Sequence, residues 1–353
     1  MRKYYIDNLR ILCIFLLFPF HTTMVFNSFG EIFYVNGTPN DYLTFVNIAS
    51  YSWWMTGLFV LAGMSTKYAL SNRTANQYLA EREHKLLIPA VSSLIFIVPL
   101  QTYIADCFHN GYTGSYLKHL KVFLTITDFQ GCDGHFSPGH IWFLFYLFLI
   151  SIVTLPLILR TRKKNFKMNS KLCSIPFLLL IGIVVEMSEK VLVVGNKSFA
   201  QFGLCFLIGY FIMSEESVTD RLKKYSIPFG ILWALLIISR CVYFLYGEWD
   251  SIWNAVLYYI QGWIGVLAMI GLGKRFLDHN WKFTKLFVKA EFPMYLFHQT
   301  VIVVLAYWVV SDWKVSVYAQ YFVIMVASFV ISYGLYLVTR KFRVCRWLFG
   351  IKG

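Results

Sequence analysis

The sequence predicts an all-α protein that crosses a membrane about ten times, with both termini on the cytoplasmic side. Of its 353 residues, 58% are hydrophobic and only 14% are charged, whereas soluble domains carry charge at roughly a quarter of their positions. The apolar residues are gathered into runs of about twenty, the length that a helix needs to cross the hydrocarbon core. Backbone in lipid must satisfy its own hydrogen bonds, so these runs are expected to be helices.

Ten apolar runs are read as membrane spans. We expect the first to be a retained helix, because no small-residue cleavage site of the Ala-x-Ala type follows it. The fifth and sixth runs are the weakest of the set. The ten expected spans are, approximately, residues 9–28, 43–66, 86–105, 140–159, 174–194, 198–213, 226–246, 252–272, 291–310 and 319–339.

Connecting segments rich in lysine and arginine alternate with segments that hold few of either. This alternation predicts the topology independently of hydropathy. Short cytoplasmic loops retain positive charge. The N-terminal segment, every second loop and the C-terminal tail hold most of the 32 lysine and arginine residues, including Lys167 and Lys171 in the fourth loop. Both termini are therefore expected inside. The longest polar insertion, about residues 106–139, is expected outside.

The chain is expected to form a single membrane domain over residues 1–353, without an appended soluble domain. Its net charge of +14 comes from short clusters and not from one basic face, so nucleic acid is not an expected partner. None of the seven cysteines forms a CxxC pair, and no metal site is expected. Cys107 and Cys132 share the external insertion, where separate thiols are favoured over a disulfide.

His21 is the most informative ionisable residue inside an expected span, where each charge costs about 3 kcal/mol. It follows Arg10 by about 16 Å along a helix axis, which places it near the middle of the membrane. Two interpretations remain open. The imidazole either bonds a neighbouring helix in the core, or acts as a general base that takes a proton from a hydroxyl attacking a thioester.

Four short blocks in order along the chain carry a family resemblance. They are residues 5–10 followed by His21, the glycine stretch 57–63 with the loop 78–89, the segment 138–144 and the segment 295–298. Together these blocks resemble the acyltransferase-3 family of integral membrane O-acyltransferases. Lys85 and Asn8 depart from the pattern, since arginine and glycine are common there. Lysine keeps the charge but loses the bidentate fork of arginine.

The resemblance implies a ten-helix enzyme that moves an acyl group from cytosolic acyl-CoA to a hydroxylated acceptor on the external side. Acyl-CoA is then a co-substrate, with no permanently bound cofactor. His298 is expected to approach the thioester if helices one and nine adjoin. The residues implied are His21, Arg10 and Asp7 for catalysis, Arg82 and Lys85 for binding of CoA, and His140, Trp142 and His298 for binding of substrate.

Several of these residues also have a structural interpretation. The cations Arg82 and Lys85 are typical of a charge cluster at a helix end, an interpretation that weighs more for Lys85. Trp142 taken alone is typical of an interfacial aromatic belt. Arg240 is expected to be structural, with a long stem that reaches the interface. Glu186 and Glu291 are expected at helix ends and rank below the histidines.

The expected function is transfer of an acetyl or succinyl group from acyl-CoA to an extracytoplasmic carbohydrate or glycan, in a bacterial plasma membrane. The alternative is a proton-coupled secondary transporter or polysaccharide exporter, since such carriers also hold intramembrane His and Arg. Transporters of that kind often contain related halves, and no internal repeat is evident here. A catalytically degenerate lipid-flipping or scaffolding partner in polysaccharide assembly remains a third possibility.

Overall fold

A computed structural model describes residues 3–127, 129–164, 169 and 174–351. Lys167 and Lys171 lie outside the described residues. The all-α prediction is confirmed, since only two short strands interrupt the helices of the described residues. The helices are α1 Tyr4–Phe15, α2 Leu17–Val25, α3 Asp41–Ser50, α4 Trp54–Ser71, α5 Ala75–Arg82, α6 Ile88–Phe96, α7 Val98–His109, α8 Tyr116–Phe123, α9 Trp142–Lys163, α10 Ile175–Met187, α11 Phe199–Ile208, α12 Glu216–Lys224, α13 Ser226–Tyr246, α14 Ile252–Phe276, α15 Lys282–Phe287, α16 Glu291–Asp312, α17 Val317–Thr339 and α18 Arg343–Leu348.

Short irregular segments join some of these helices. Two are π-helical and two are 3₁₀-helical, and the strands pair antiparallel through Val193 with Ser198 and Val194 with Lys197. The π-helical segments are Glu83–Leu87 and Gly209–Met213, the 3₁₀ segments are Gly139–Ile141 and Ser188–Lys190, and the strands are β1 Val193–Val194 and β2 Lys197–Ser198.

The protein is an integral membrane protein, with eight described helical stretches long and apolar enough to cross a bilayer. These coincide with eight of the ten expected spans. The stretches are Tyr4–Val25, Asp41–Ser71, Ala75–His109, Gly139–Lys163, Ser226–Tyr246, Ile252–Phe276, Glu291–Asp312 and Val317–Thr339.

The two weakest expected spans are the ones that differ. Phe199–Met213 reaches the required length only together with Glu216–Lys224, to which it is bent by 94°. In the region of the fifth span, α10 has 13 residues. At 1.5 Å per residue it is about 20 Å long, shorter than the hydrocarbon core of about 30 Å.

The first span is broken at Leu16, between α1 and α2. Pro19 lies in the first turn of α2. It has no N–H to donate to the carbonyl four residues earlier, so the regular helix is interrupted. The helical hydrogen bonds resume at Phe20, whose N–H donates to the carbonyl of Leu16 at 3.0 Å. His21 therefore lies on a separate helical segment from Arg10.

Contacts between Cα atoms divide the chain into two compact units built from interleaved segments. The first unit comprises the residues up to Cys13 together with Ile48–Arg82 and Tyr146–Thr284. The second comprises Ile14–Asn47, Glu83–Phe145 and the residues from Lys285 onward.

The first unit is held together by close contacts between helices. In it, α13 packs against α14, and α4 packs against α11 and the following π-helical turn. A Cβ atom added at Gly63 would lie 2.0 Å from the carbonyl oxygen of Phe206, and one at Gly209 would lie 2.1 Å from that of Val60. Glycine therefore permits this contact, because any larger residue would separate the two backbones.

The second unit is arranged around α16, which packs against α2, α7 and α17. The second half of the first span is thus a direct neighbour of the ninth. The sequence had left open whether these two helices adjoin. Their contact brings histidines that are far apart in the chain to one place.

Candidate functional site

Three histidines form a cluster within the second unit. His21 comes from α2, His140 from the 3₁₀ turn before α9, and His298 from α16. The ring centroid of His298 lies 5.1 Å from that of His21 and 4.8 Å from that of His140. His140 and His298 are buried, whereas His21 is partly exposed. We refer to these three residues as the histidine cluster.

Both ring nitrogens of His140 have partners. The Nε2 atom lies 3.0 Å from the carbonyl of Leu296, which can only accept, so Nε2 carries the proton. The Nδ1 atom then accepts from the side-chain amide of Gln101 at 3.4 Å. The hydroxyl of Tyr295 also donates to the backbone carbonyl of His140 at 2.6 Å. This imidazole is held firmly, with no lone pair left for a substrate.

His298 has the opposite arrangement. Its Nδ1–H donates to the carbonyl of Tyr295 at 2.6 Å, which leaves the lone pair on Nε2. That atom is buried and has no hydrogen-bond partner among the described residues. A buried acceptor without a partner costs about 1–3 kcal/mol. Such a group calls for a ligand or a chemical role.

A network of amide and hydroxyl side chains supports the cluster. The amide nitrogen of Gln101 on α7 donates to Thr300 at 2.6 Å, and its carbonyl oxygen accepts from Gln299 at 3.1 Å. The hydroxyl of Thr300 donates to the backbone carbonyl of Ile97 at 3.3 Å. The network fixes the amide orientation of Gln101 that His140 requires.

The turn that carries His140 depends on glycine. Gly139 has a φ of +50°, a conformation that residues with a Cβ atom rarely adopt. Its N–H donates to the hydroxyl of Ser137 at 2.9 Å, which in turn lies 3.3 Å from the hydroxyl of Tyr34. The segment 138–144 thus owes its glycine to backbone geometry directly before the histidine.

Aromatic rings border the cluster. The ring of Phe18 meets His298 edge-on at 5.7 Å, and Phe33 stacks on His21 at 6.1 Å with 18° between the planes. The backbone of Phe33 is fixed at both ends, because its N–H donates to Asn36 and its carbonyl accepts from His109. Phe18 and Phe33 thus give His298 and His21, respectively, an apolar neighbour.

The remaining catalytic candidates lie in the first unit. Arg10 Nη2 lies 3.4 Å from Asp7 Oδ1, one helical turn away in α1. Between them, Asn8 bonds the carbonyls of Leu277 and His279 through its amide nitrogen. The departure from glycine at position 8 therefore has a structural consequence, since Asn8 attaches α1 to the segment after α14.

The candidates for CoA binding lie three residues apart. Arg82 ends α5, with its guanidinium 5.0 Å from the ring centroid of Tyr78. Its Nε atom is buried and without a partner in the part of the chain that the structure describes. Lys85 lies in the π-helical turn Glu83–Leu87. Arg82 therefore has an N–H available to an anion.

Comparison with known proteins agrees with the motifs. A family model described as an acyltransferase domain matches residues 3–337. The chain belongs to the acyltransferase-3 family. It is an acyltransferase, and three of its four motif blocks contribute a histidine to the cluster.

Relatives of this acyltransferase include proteins called glucans biosynthesis protein C. The one from Shigella dysenteriae serotype 1 is 24% identical over 321 residues, which cover 84% of this chain and 81% of the relative. The one from Escherichia coli O6:K15:H31 is 23% identical with the same coverage, and the one from Salmonella agona is 21% identical over 326 residues. No solved structure matches the acyltransferase significantly.

Arg240 is buried in this acyltransferase, and its contacts are with side chains of the first unit. Its guanidinium donates to Asn254 at 3.2 Å and to Gln261 at 3.1 Å, and lies 5.1 Å from the ring centroid of Trp249. Partners on neighbouring segments replace water, which allows the charge to remain inside the unit.

The other secondary expectations have simpler outcomes. Glu186 is in the last turn of α10, and Glu291 is the first residue of α16, so both lie at helix ends. Cys107 and Cys132 form no disulfide. Trp142 begins α9 and its ring meets that of Phe143 at 6.3 Å; a role in sugar binding stays a prediction.

Gln101, Gln299 and Thr300 were not among the residues predicted from the sequence. A signal was present, because two glutamines inside apolar runs are expensive in lipid and are expected to bond other helices. What the linear chain did not indicate was their partner. Gln101 and His140 are 39 residues apart and on different elements.

Proposed function

We propose that this acyltransferase moves an acetyl or succinyl group from acyl-CoA to a hydroxyl of an extracytoplasmic glycan or similar acceptor. The observation that carries the proposal is the histidine cluster, in which a partly exposed imidazole adjoins a buried one with an available lone pair. The name of the relatives refers to glucans, which supports a carbohydrate acceptor. Their bacterial origin supports a bacterial plasma membrane.

His21 is the general base in this mechanism. Its neutral ring accepts the proton of the acceptor hydroxyl while the oxygen attacks the thioester carbonyl. The tetrahedral intermediate then collapses, the carbon–sulfur bond breaks, and the proton passes from the imidazolium to the departing sulfur. The products are an ester and free CoA.

His298 stabilises the protonated state of His21. With its Nδ1–H committed to the carbonyl of Tyr295, the ring can offer only the lone pair of Nε2 to a neighbouring donor. Rings whose centroids are 5.1 Å apart can bring nitrogen atoms within hydrogen-bond reach. A neutral imidazole beside an imidazolium therefore acts as an acceptor and not as a second charge.

The donor and acceptor sites involve the other predicted residues. Arg82, Lys85 and Arg10 bind the phosphates of CoA, and Arg82 supports this assignment through its unpartnered Nε–H. Asp7 orients the Arg10 guanidinium, with which it is paired. Trp142 contributes to the acceptor side, where an indole can stack on a sugar ring. His140, with both ring nitrogens occupied, has an orienting role there.

The test uses purified protein with labelled acetyl-CoA or succinyl-CoA and a glycan acceptor. Release of CoA and labelling of the glycan are both measured. His21→Ala is expected to reduce transfer about 100-fold or more, the usual contribution of a general base. His298→Asn keeps an amide donor for the Tyr295 carbonyl but has no group in place of Nε2, and it is expected to reduce transfer by at least tenfold.

His279→Asn is the matched control, since His279 is exposed and lies outside the cluster. It is expected to retain wild-type turnover. Unchanged turnover by His21→Ala would remove His21 from the mechanism, and unchanged turnover by His298→Asn would remove the role of the Nε2 lone pair.

A further inference from the structure

An apolar groove in the first unit lies apart from the residues assigned to acyl transfer. It runs between α10 and α14 and has a volume of about 510 Å³, within the range of sites that hold small ligands. Its walls include Leu179, Gly182 and Ile183 on α10, and Tyr259, Ile260 and Trp263 on α14.

The groove is open toward the surroundings of the helices. Ile183 is 57% exposed and Ile260 is 45% exposed, although both are among the most apolar side chains. Because α14 is long and apolar enough to cross the membrane, the medium that meets these side chains is lipid. A hydrocarbon chain is therefore the occupant that the walls select.

One end of the groove is polar. Glu186 and Lys190 both line it, and Glu189 lies beside them. The carboxylate of Glu186 accepts from Gln201 at 3.3 Å, and that of Glu189 accepts from the hydroxyl of Tyr259 at 2.8 Å. The side-chain ammonium of Lys190 forms no hydrogen bond or ion pair among the described residues. Two carboxyl groups and one ammonium group thus lie at one end of the apolar groove.

This charge pattern distinguishes between headgroups. An anionic phosphoglycerol headgroup would meet two acidic side chains and one lysine. A choline headgroup carries the required positive charge but no N–H to donate to carboxylate oxygens. A phosphoethanolamine headgroup offers a primary ammonium whose N–H groups can donate to both carboxyl groups, and a phosphate that can pair with the lysine.

We propose that the groove between α10 and α14 binds phosphatidylethanolamine, with one acyl chain between the helices, its ammonium at Glu186 and Glu189, and its phosphate at Lys190. The lipid ammonium adds a further donor to carboxyl groups that already accept from Gln201 and Tyr259.

The test is native mass spectrometry of the detergent-purified protein after incubation with equal amounts of phosphatidylethanolamine, phosphatidylcholine and phosphatidylglycerol of identical chains. The wild type is expected to retain phosphatidylethanolamine several-fold more than either other lipid. Glu186→Gln and Lys190→Ala are expected to reduce that preference, because each alters a side chain that is proposed to bond the headgroup.

The groove itself is tested by filling it. Ile183→Trp places a large ring between the helices and is expected to abolish the preferential retention. Val184→Trp is the matched control, because Val184 is also 57% exposed, lies one residue away and is not part of the lining. Ile260→Trp repeats the test from α14 if Ile183→Trp does not yield folded protein.

Equal retention of the three lipids by the wild type would overturn the proposal. So would a loss of retention that is as large in Val184→Trp as in Ile183→Trp, since the effect would then not depend on the groove. Acyl transfer does not enter any of these measurements. The outcome is therefore independent of the function proposed for the histidine cluster.

Discussion

His140 and His298 show how the same side chain acquires different chemical capacity from its hydrogen bonds. Each ring donates to a backbone carbonyl of α16, His140 through Nε2 and His298 through Nδ1. Gln101 occupies the second nitrogen of His140, while that of His298 has no partner in the described chain. The first imidazole is therefore suited to orientation, and the second to accepting a proton or a hydrogen bond.

Replacement of Gln101 tests whether its hydrogen bonds stabilise the histidine cluster. Gln101→Met keeps the approximate length of the side chain but removes its hydrogen bonds to His140, Thr300 and Gln299. Since interhelical hydrogen bonds in membranes contribute about 0.6 kcal/mol each on average, we expect a loss of about 1–2 kcal/mol in unfolding free energy. Thermal unfolding of the purified variant in detergent measures it.

Ile95→Met serves as the control for that measurement, because Ile95 is 55% exposed on α6. Its unfolding temperature is expected to remain that of the wild type. A Gln101→Met protein as stable as the control would mean that the amide network does not stabilise the second unit.

At the level of helices, the contact between α4 and α11 depends on Gly63 and Gly209. Each of these glycines lies against a backbone carbonyl of the opposite segment. The π-helical turn begins at Gly209, which lies against the carbonyl of Val60. Small residues are common where membrane helices approach closely, because packing and not water drives their association. This contact defines the position of α11, one of the two weakest expected spans.

Gly63→Ala is expected to force α4 and α11 apart. Its new Cβ atom would meet the carbonyl of Phe206 at 2.0 Å, a backbone group that cannot move alone. Overpacking of this kind costs about 1–3 kcal/mol, and unfolding by heat or by denaturing detergent should report it.

Gly203→Ala provides the comparison within α11 itself. Nothing lies within 4 Å of a Cβ atom at Gly203, and alanine is the better helix former by up to about 1 kcal/mol. That variant should be as stable as the wild type or slightly more so. Equal destabilisation by both variants would argue against the specific contact at Gly63.

For the molecule as a whole, orientation in the membrane follows from the distribution of lysine and arginine. The insertion that contains Cys132 is expected outside, and the tail that contains Cys345 is expected inside. Both side chains are partly exposed.

Labelling of these cysteines tests the orientation. In variants that retain one of the two and no other cysteine, a membrane-impermeant maleimide is expected to label Cys132 in intact cells. Cys345 is expected to react only after the membrane is permeabilised. Labelling of Cys345 in intact cells would reverse the predicted topology of the C-terminal tail.

Local properties of the chain were sufficient to predict the helical class and most of the spans. Apolar runs of about twenty residues determine helices in lipid because the backbone must bond within the segment. The same reasoning selected His21, His140 and His298, since a titratable group in an apolar run is costly wherever the run is placed. Motif order then indicated the family.

Packing between distant segments decided the rest. The meeting of α2 with α16, the hydrogen bonds of Gln101 to His140 and Gln299, and the groove between α10 and α14 all join residues remote in sequence. Hydropathy reports only the cost of placing one residue in lipid. The available lone pair of His298 and the position of the Glu186 carboxyl group in a groove both depend on side chains from other helices. Hydropathy contains no information about those neighbours.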